Sequence, residues 1–252
     1  MRVMDGLSLL EIGGAGNFAM CPVLVRDESD AVLFDAGLPG QMEKILSEMA
    51  VEGVPFSELT HILITHQDMD HIGSLAALQR AAAGQVKVMC QMEEKDYIQF
   101  DRIPAKMSKE RILQHAAEYL EKTGIGIPDP FSLDGIRILF ADVTAVVDDV
   151  LADGQDLNVC GGIVAIHTPG HTPGYCCYYL IKFRTLVAGD AMNVREGILS
   201  GPNPVYTKDP VTARASLAKL SAYDIQTVLC YHGGAISGPE GMNSAIMALV
   251  SE

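Results

Sequence analysis

A cluster of four potential metal ligands directly follows a short apolar stretch of the chain. Residues 62–64 read Ile-Leu-Ile, and the next seven positions contain His66, Asp68, Asp70 and His71. Carboxylates and neutral imidazoles are donors that suit divalent cations such as zinc, manganese and iron. Without a cation, so many of these groups at one strand end would form a poorly solvated group of charges. The cluster therefore predicts a dinuclear metal site, with a solvated polar loop as the alternative.

The pattern of apolar runs divides the chain into two similar halves, each with strands before helices. In the first half, residues 7–12, 21–25, 31–34, 60–65 and 86–90 predict strands, and residues 41–49 and 74–83 predict helices. In the second half, strands are predicted from 136 through 147 and at 163–166, 175–181, 185–188 and 227–231, with helices at 210–221 and 240–250. Two β-rich halves with flanking helices predict an α/β fold, a four-layer αββα sandwich formed by one domain over residues 1–252.

Two segments depart from this pattern. Residues 93–130 are mostly polar and contain an amphipathic stretch at 108–122, so we expect a helical insertion or lid there. Residues 14–19 (GAGNFA) mimic a dinucleotide-binding fingerprint, but a strand rather than a helix follows them. A hairpin turn is therefore the favoured interpretation of residues 14–19.

Three further candidate ligands follow predicted strands of the second half. His171 lies between two Thr-Pro-Gly turns, a rigid setting that would fix its imidazole. Asp190 comes after the strand at 185–188, and His232 comes after the strand at 227–231. Taken singly, these residues could be a turn residue, a helix cap and a surface imidazole. Their order and their positions at strand ends favour metal ligation.

The order of these motifs resembles that of the metallo-β-lactamase fold superfamily. Its pattern is an early Asp, then HxHxDH, then single His, Asp and His residues, and the matching positions here run from Asp35 to His232. The resemblance implies that one ion would be held by His66, Asp68 and His171, and the other by Asp70, His71 and His232. It also implies that Asp190 bridges the two ions and that Asp35 orients a ligand or the loop that carries it.

Asp68 departs from the superfamily pattern, which has a second His at this position. Residues i and i+2 of an extended segment point to the same side, so a carboxylate at position 68 can still bind the ion. With a bridging hydroxide, the third carboxylate lowers the charge of the site from about +1 to about zero. We therefore expect two divalent ions, zinc first, with manganese or iron as alternatives favoured by the harder oxygen donors.

The activity implied by the resemblance is that of a lactonase-like metallohydrolase. A metal-bridging hydroxide would cleave an ester, lactone, thioester or amide bond of a small-molecule substrate, with Asp70 as the proton acceptor. Lactonases of the superfamily carry a Tyr three residues after the bridging Asp, but Asn193 occupies that position here. Tyr206 is therefore the candidate that assists the leaving group.

Two other functional classes stay open at this point. One is a non-haem diiron oxidoreductase of the flavodiiron type, which carries a carboxylate at the position of Asp68. The other is a metal-stabilised binding protein without turnover.

Composition limits the partners and the location. A formal charge of −14, with only 18 Lys and Arg and no cluster of cations, argues against a nucleic-acid partner. The sequence has no basic targeting segment, no apolar stretch long enough for a membrane and no CxxC among its six cysteines. These features predict a cytoplasmic protein that does not bind a membrane, and they are compatible with a homodimer.

Overall fold

The computed structural model describes residues 1–14 and 19–251, so the turn predicted at 14–19 falls largely outside the described residues. The first half contains β1 (Arg2–Met4), β2 (Leu7–Leu9), β3 (Val23–Arg26), β4 (Ala31–Phe34), α1 (Met42–Val51), β5 (Leu59–Ile64), α2 (Met69–Ile72), α3 (Leu75–Ala82) and β6 (Lys87–Gln91). The segment that follows contains α4 (Met92–Ile98), α5 (Lys109–Thr123), α6 (Leu133–Leu139) and β7 (Asp149–Leu151). A short 3₁₀ helix, Phe56–Glu58, precedes β5.

The second half begins with four strands: β8 (Asp156–Leu157), β9 (Ile163–His167), β10 (Cys176–Leu180) and β11 (Thr185–Gly189). These are followed by β12 (Asn193–Arg195), β13 (Ile198–Ser200), α7 (Pro210–Ser216), β14 (Thr227–Cys230), β15 (Gly234–Ser237) and α8 (Asn243–Ser251). A second 3₁₀ helix, Leu217–Ala222, continues directly from α7.

The strands form two large sheets and one small hairpin. The first sheet has the order β1-β2-β3-β4-β5-β6-β7, and its β4, β5, β6 and β7 are parallel neighbours. The second sheet has the order β15-β14-β11-β10-β9-β8, in which β11 and β14 are parallel. β12 and β13 pair only with each other among the described strands. Parallel neighbours bring their carboxyl ends to the same edge of a sheet, and these edges carry the candidate ligands.

Alternation of side chains along β4 shows how the layers stack. Leu33 faces α1 and α3, in a core that contains Ile45 and Leu78. Phe34 faces the second sheet, where its ring centroid lies 5.2 Å from that of Tyr178. Successive residues of a strand point to opposite faces, so a fully apolar strand needs a core on each side.

A third core packs the outer face of the second sheet against α8 and the 3₁₀ helix that follows α7. The layers are therefore helix, sheet, sheet and helix. This confirms the predicted four-layer αββα sandwich.

The strand predicted from 136 through 147 is wrong. Residues 136–139 belong to α6, and the structure has no strand between α6 and β7. Ser132 caps α6 by accepting the backbone N–H of Gly135 at 3.0 Å, and Ile136 and Phe140, four residues apart, are both buried. A spacing of four places side chains on one face of a helix, whereas a strand would place them two apart.

The polar segment predicted as an insertion over 93–130 contains most of α4 and all of α5, joined by residues 99–108 without regular structure. Ile112 is the residue of α5 that is fully enclosed, and it belongs to the core of the first sheet. Among the residues that the model describes, no helix combines the length and the apolar character needed to cross a membrane.

Candidate metal centre

All seven predicted ligands lie at one edge of the sandwich, where loops follow strand ends. His66, Asp68, Asp70 and His71 follow β5, and α2 begins within this group at Met69. His171 lies in the turn after β9, Asp190 follows β11, and His232 follows β14. The structure thus brings together side chains separated by up to 166 positions in the sequence.

The ligand atoms fall into two sets joined by one carboxylate. In set one, His66 Nε2 and His171 Nε2 lie 3.2 and 3.3 Å from Asp68 Oδ2. In set two, His71 Nε2 and His232 Nε2 lie 3.7 and 3.3 Å from Asp70 Oδ2. Within each set the ligand atoms lie within 4.8 Å of one another, close enough to share one ion.

Asp190 connects the two sets through its two carboxylate oxygens. Oδ1 lies 3.5 Å from His71 Nε2 and 3.7 Å from His232 Nε2, both in set two. Oδ2 lies 3.7 Å from His171 Nε2 in set one. A carboxylate with one oxygen toward each set has the geometry of a bridging ligand.

Hydrogen bonds behind the first pair of histidines fix which ring nitrogen carries the proton. The Thr65 hydroxyl donates its single hydrogen to Asp35, at 2.9 and 3.0 Å, so it must accept from His66 Nδ1, 2.9 Å away. His71 Nδ1 donates to Asp35 Oδ2 at 2.9 Å. Both rings therefore carry a proton on Nδ1 and direct Nε2 toward the site.

The second pair of histidines is fixed in the same way. Thr207 donates its hydroxyl to the carbonyl of Asn203 at 2.7 Å, so it accepts from His171 Nδ1 at 3.1 Å. His232 Nδ1 donates to the carbonyl of Ala19 at 3.2 Å. In metal sites, such partners behind a histidine orient the ring and leave its other nitrogen free for the metal.

The ligand set fits divalent ions. His66 Nε2, His71 Nε2 and Asp190 Oδ1 are buried and have no hydrogen-bond partner among the described residues. A buried polar atom without a partner costs free energy, and ligation to a cation would remove that cost. Imidazole nitrogens and carboxylate oxygens within one cluster suit zinc, manganese and iron.

Asp35 supports both sets from behind, at the end of β4. Its side chain is buried and accepts three donors: the Thr65 backbone N–H at 2.9 Å, the Thr65 hydroxyl and His71 Nδ1. Its φ of +65° lies in the left-handed region, which non-glycine residues rarely adopt. The strain is of a kind found at functional sites, and here it directs the carboxylate at both Thr65 and His71.

Tyr175 positions the bridging Asp190. Its hydroxyl donates to the Ala188 carbonyl at 2.7 Å and accepts the backbone N–H groups of Asp190 and Ala191. Gly189, between these residues, has a φ of +55°, and a Cβ there would lie 2.3 Å from the Tyr175 hydroxyl oxygen. Glycine at position 189 is therefore required for this turn.

Electrostatic effects on the histidines differ between the two sets. Burial lowers the pKa of His66 to about 4, and the neighbouring His71 adds to this effect. Burial also acts to lower the pKa of His71, but Asp35, Asp70 and Asp190 outweigh it and raise that pKa well above its usual value. In set one, His66 is therefore neutral at pH 7, whereas His71 holds a proton that an ion would have to displace.

A cavity of about 440 Å³ opens in front of the ligands, a size suited to a small molecule. Tyr206 lines this cavity, is largely exposed and touches the site through its backbone: its carbonyl accepts Lys106 Nζ at 2.9 Å. Asn193, at the position of the lactonase tyrosine, also lines the cavity and is buried. The role predicted for Tyr206 stays a prediction.

The sequence analysis missed two charged residues of the site, both in the polar segment of residues 93–130. Glu94 is fully buried, and its carboxylate accepts the backbone and side-chain N–H groups of Gln67 and the backbone N–H of Gly174, at 2.8 to 2.9 Å. Lys106 Nζ contacts Asp68 and lies 2.8 Å from His171 Nε2. No local pattern marks these two residues, because each contact joins positions 27 or more residues apart.

Comparison with known proteins gives a family from the sequence and a matching fold from solved structures. The family model described as the metallo-beta-lactamase superfamily matches residues 22–232. The uncharacterised protein YobT of Bacillus subtilis (strain 168) is 31% identical over 183 residues, which cover 71% of this chain and 66% of YobT. The probable metallo-hydrolase YflN of the same strain is 27% identical over 221 residues, covering 82% of this chain and 76% of YflN.

A solved structure of a metallo-beta-lactamase family protein from Thermus thermophilus has a TM-score of 0.70 and 21% identity, covering 99% of this chain and 80% of that one. At this identity the likeness shows the fold. The family model covers well over half of the chain and includes Asp35 and all seven candidate ligands, from His66 to His232. The chain therefore belongs to the metallo-β-lactamase superfamily.

Proposed function

We propose that this protein is a dinuclear metal-dependent hydrolase that cleaves an ester, lactone, thioester or amide bond of a small-molecule substrate. One observation carries the proposal: four histidines, each with Nδ1 tied to an acceptor, direct Nε2 toward three carboxylates in front of a cavity of about 440 Å³. Superfamily membership and the similarity to a probable metallo-hydrolase support the hydrolase class.

Two divalent ions, bound one to each set, would polarise the substrate carbonyl and supply a hydroxide nucleophile at neutral pH. His66, Asp68 and His171 would hold one ion, Asp70, His71 and His232 the other, and Asp190 would contact both. Zinc suits this mixed nitrogen and oxygen set, and the three carboxylates also suit manganese or iron.

The protein residues around the ligands have separate tasks in this mechanism. Asp70 is the partly exposed carboxylate of set two and lines the cavity, so it is the proposed proton acceptor. Asp35 and Thr65 hold the rings of His71 and His66 in the ligating orientation. Tyr206 lines the same cavity, so its hydroxyl is the proposed proton donor to the leaving group.

Metal analysis and a substrate panel test this proposal. We expect about two zinc or manganese ions per chain and turnover of an ester or lactone, abolished by His171→Ala because that variant removes a ligand of set one. Asp153→Asn, a substitution of a surface carboxylate, serves as the control. Full turnover in His171→Ala would refute the mechanism, and dominant iron without hydrolysis would support the redox alternative.

A further inference from the structure

Lys106 places an ammonium group among the donor atoms of set one. Its Nζ contacts Asp68 Oδ2, lies 2.8 Å from His171 Nε2 and lies 2.9 Å from the carbonyl of Tyr206. An ammonium group has three N–H donors, and these three acceptors use all of them. Both side chains of the Lys106 and Asp68 pair are about one fifth exposed, so solvent screens the pair only in part.

The nitrogen that Lys106 contacts on His171 is the one that a metal would need. Because His171 Nδ1 carries the proton, Nε2 has the single lone pair of the ring. That lone pair can accept an N–H from Lys106 or bind a cation, but it cannot do both. The ammonium and an ion in set one are therefore mutually exclusive at His171.

No lysine or arginine of the described residues reaches the donor atoms of set two. Among the described residues, the contacts of Asp70 and His232 at the site involve each other, Asp190 and His71, and none involves Lys or Arg. The two sets thus differ in one respect that matters for a cation: only set one has a lysine ammonium group at its donor atoms, among the residues that the structure describes.

We infer that Lys106 is a tethered cation that competes with a metal ion for set one, so that the two sets bind ions with unequal affinity. The inference rests on the proposed function, since it takes both sets as metal sites. Set two fills first, and the second ion enters set one only when Lys106 leaves His171 and Asp68. Lys106 thus controls whether set one holds an ion, without itself contacting the substrate.

The position of Lys106 connects this competition to the segment between α4 and α5. The neighbouring Ala105 donates its backbone N–H to Gln67 Oε1 at 2.6 Å, and Gln67 lies between the ligands His66 and Asp68. Residues 104–107 are thus fastened to the ligand loop at two adjacent points. Release of Lys106 frees one of these points, and we expect residues 104–107, which border the cavity, to loosen when the second ion binds.

Metal titration of Lys106→Met tests the inference, with Lys109→Met as the matched control. Lys109 is an exposed lysine three residues away, at the start of α5. Equilibrium dialysis with zinc and the absorption spectrum of bound cobalt report the two binding steps without any substrate. We expect Lys106→Met to bind the second ion about ten- to a hundredfold more tightly, the range for removal of a competing charge-assisted hydrogen bond.

Lys109→Met should bind both ions as the wild type does, and Lys106→Gln guards against a local effect of the methionine. Equal affinity for the second ion in the wild type and both Lys106 variants would overturn the inference and leave the hydrolase proposal intact. Stronger second binding in the Lys106 variants without turnover of any panel substrate would support the inference and overturn the hydrolase proposal.

Hydrogen exchange adds a readout that a merely structural lysine would not change. In the wild type, amide exchange at residues 104–107 should rise on going from one to two zinc ions per chain. In Lys106→Met, exchange in this segment should already be high and should not respond to the second ion. Exchange in the wild type that falls with the second ion would contradict the coupling.

Discussion

The two ligand sets of this site have the same types of donor but different surroundings. In set two, residues at the ends of strands hold His71: Asp35 accepts from its Nδ1, and the Tyr231 ring packs on it with 3.9 Å between centroids. Set one faces the polar segment, from which Lys106 reaches Asp68 and Glu94 holds Gln67. One set thus depends mainly on the sheets, and the other also depends on residues of a segment that packs outside them.

We therefore expect changes in the polar segment to alter ion binding at set one and to leave ion binding at set two unchanged. Side chains packed in a core have few alternative positions, whereas loop residues between helices can move at lower cost. Substitutions at single residues and a change of pH test this difference between the two sets.

Asp190→Asn should weaken both sets, because Asp190 is the carboxylate that contacts histidines of each. We expect a loss of more than about a hundredfold in affinity for both ions, since loss of an outer partner alone costs about 10- to 100-fold. Zinc titration by equilibrium dialysis measures this loss. A variant that loses only one ion would show that Asp190 serves one set and would contradict its role as a shared ligand.

Asp35→Asn should weaken set two more than set one. The amide cannot accept from Thr65 and His71 as two carboxylate oxygens do, and Asn tolerates the left-handed backbone at position 35. We expect about 10- to 100-fold weaker binding of the first ion. Thr65→Val is the matched variant, because it removes the partner of His66 and leaves the Asp35 to His71 bond in place. If both variants weakened the binding of the two ions equally, Asp35 would not act mainly on set two.

Lowering the pH should weaken ion binding to set two more steeply than ion binding to set one. The pKa of His71 is raised by Asp35, Asp70 and Asp190 in spite of burial, and Asp70 and Asp190 likewise outweigh burial and raise the pKa of His232. An ion must displace these protons, so binding to set two releases protons and weakens by up to about tenfold per pH unit for each proton.

Calorimetry in buffers of different ionisation enthalpy counts the protons released at each step. The first ion should release more protons than the second at pH 7, because burial keeps His66 of set one neutral, with a pKa of about 4. The opposite order would mean that set one fills first, which would also contradict the competition by Lys106.

Glu94→Gln should have the smallest effect on the ions, and it should be confined to set one. The carboxylate of Glu94 joins Gln67 to Gly174, so it braces the loops that carry His66 and His171. Loss of an acceptor for these buried N–H groups should lower the free energy of unfolding by about 1–3 kcal/mol. Thermal unfolding and zinc titration measure both effects, and Glu93→Gln, an exposed neighbour, is the control. Weaker binding of the first ion would show that Glu94 also supports set two, contrary to this prediction.

Strands with a strong local pattern were predictable from the sequence. β4 has the predicted bounds, because its four apolar residues lie between turn residues and are buried on both faces. The helix α6 was mistaken for a strand, since its short apolar stretch fits either period until the neighbouring core is known. The strands β1, β7, β8, β12, β13 and β15 were missed, because strands of two to four residues depend on pairing with a neighbour rather than on composition.

The grouping of the candidate ligands could be predicted from the sequence for a different reason. Residues 66–71 are adjacent in the sequence, so their chemistry is visible without a fold, and His171, Asp190 and His232 each follow a strand. The bonds behind them were less accessible to sequence reasoning. Thr207 behind His171 and Ala19 behind His232 are joined to their partners only by folding, across 36 and 213 positions.

Local periodicity and donor chemistry need no tertiary contacts, so the sequence alone predicted the candidate metal ligands and the αββα sandwich that carries them. The pairing of Asp68 with Lys106, and with it the different surroundings of the two sets, became visible only in the folded chain. Lys106 lies 38 positions from Asp68, so their contact arises from the packing of the polar segment against the ligand loop.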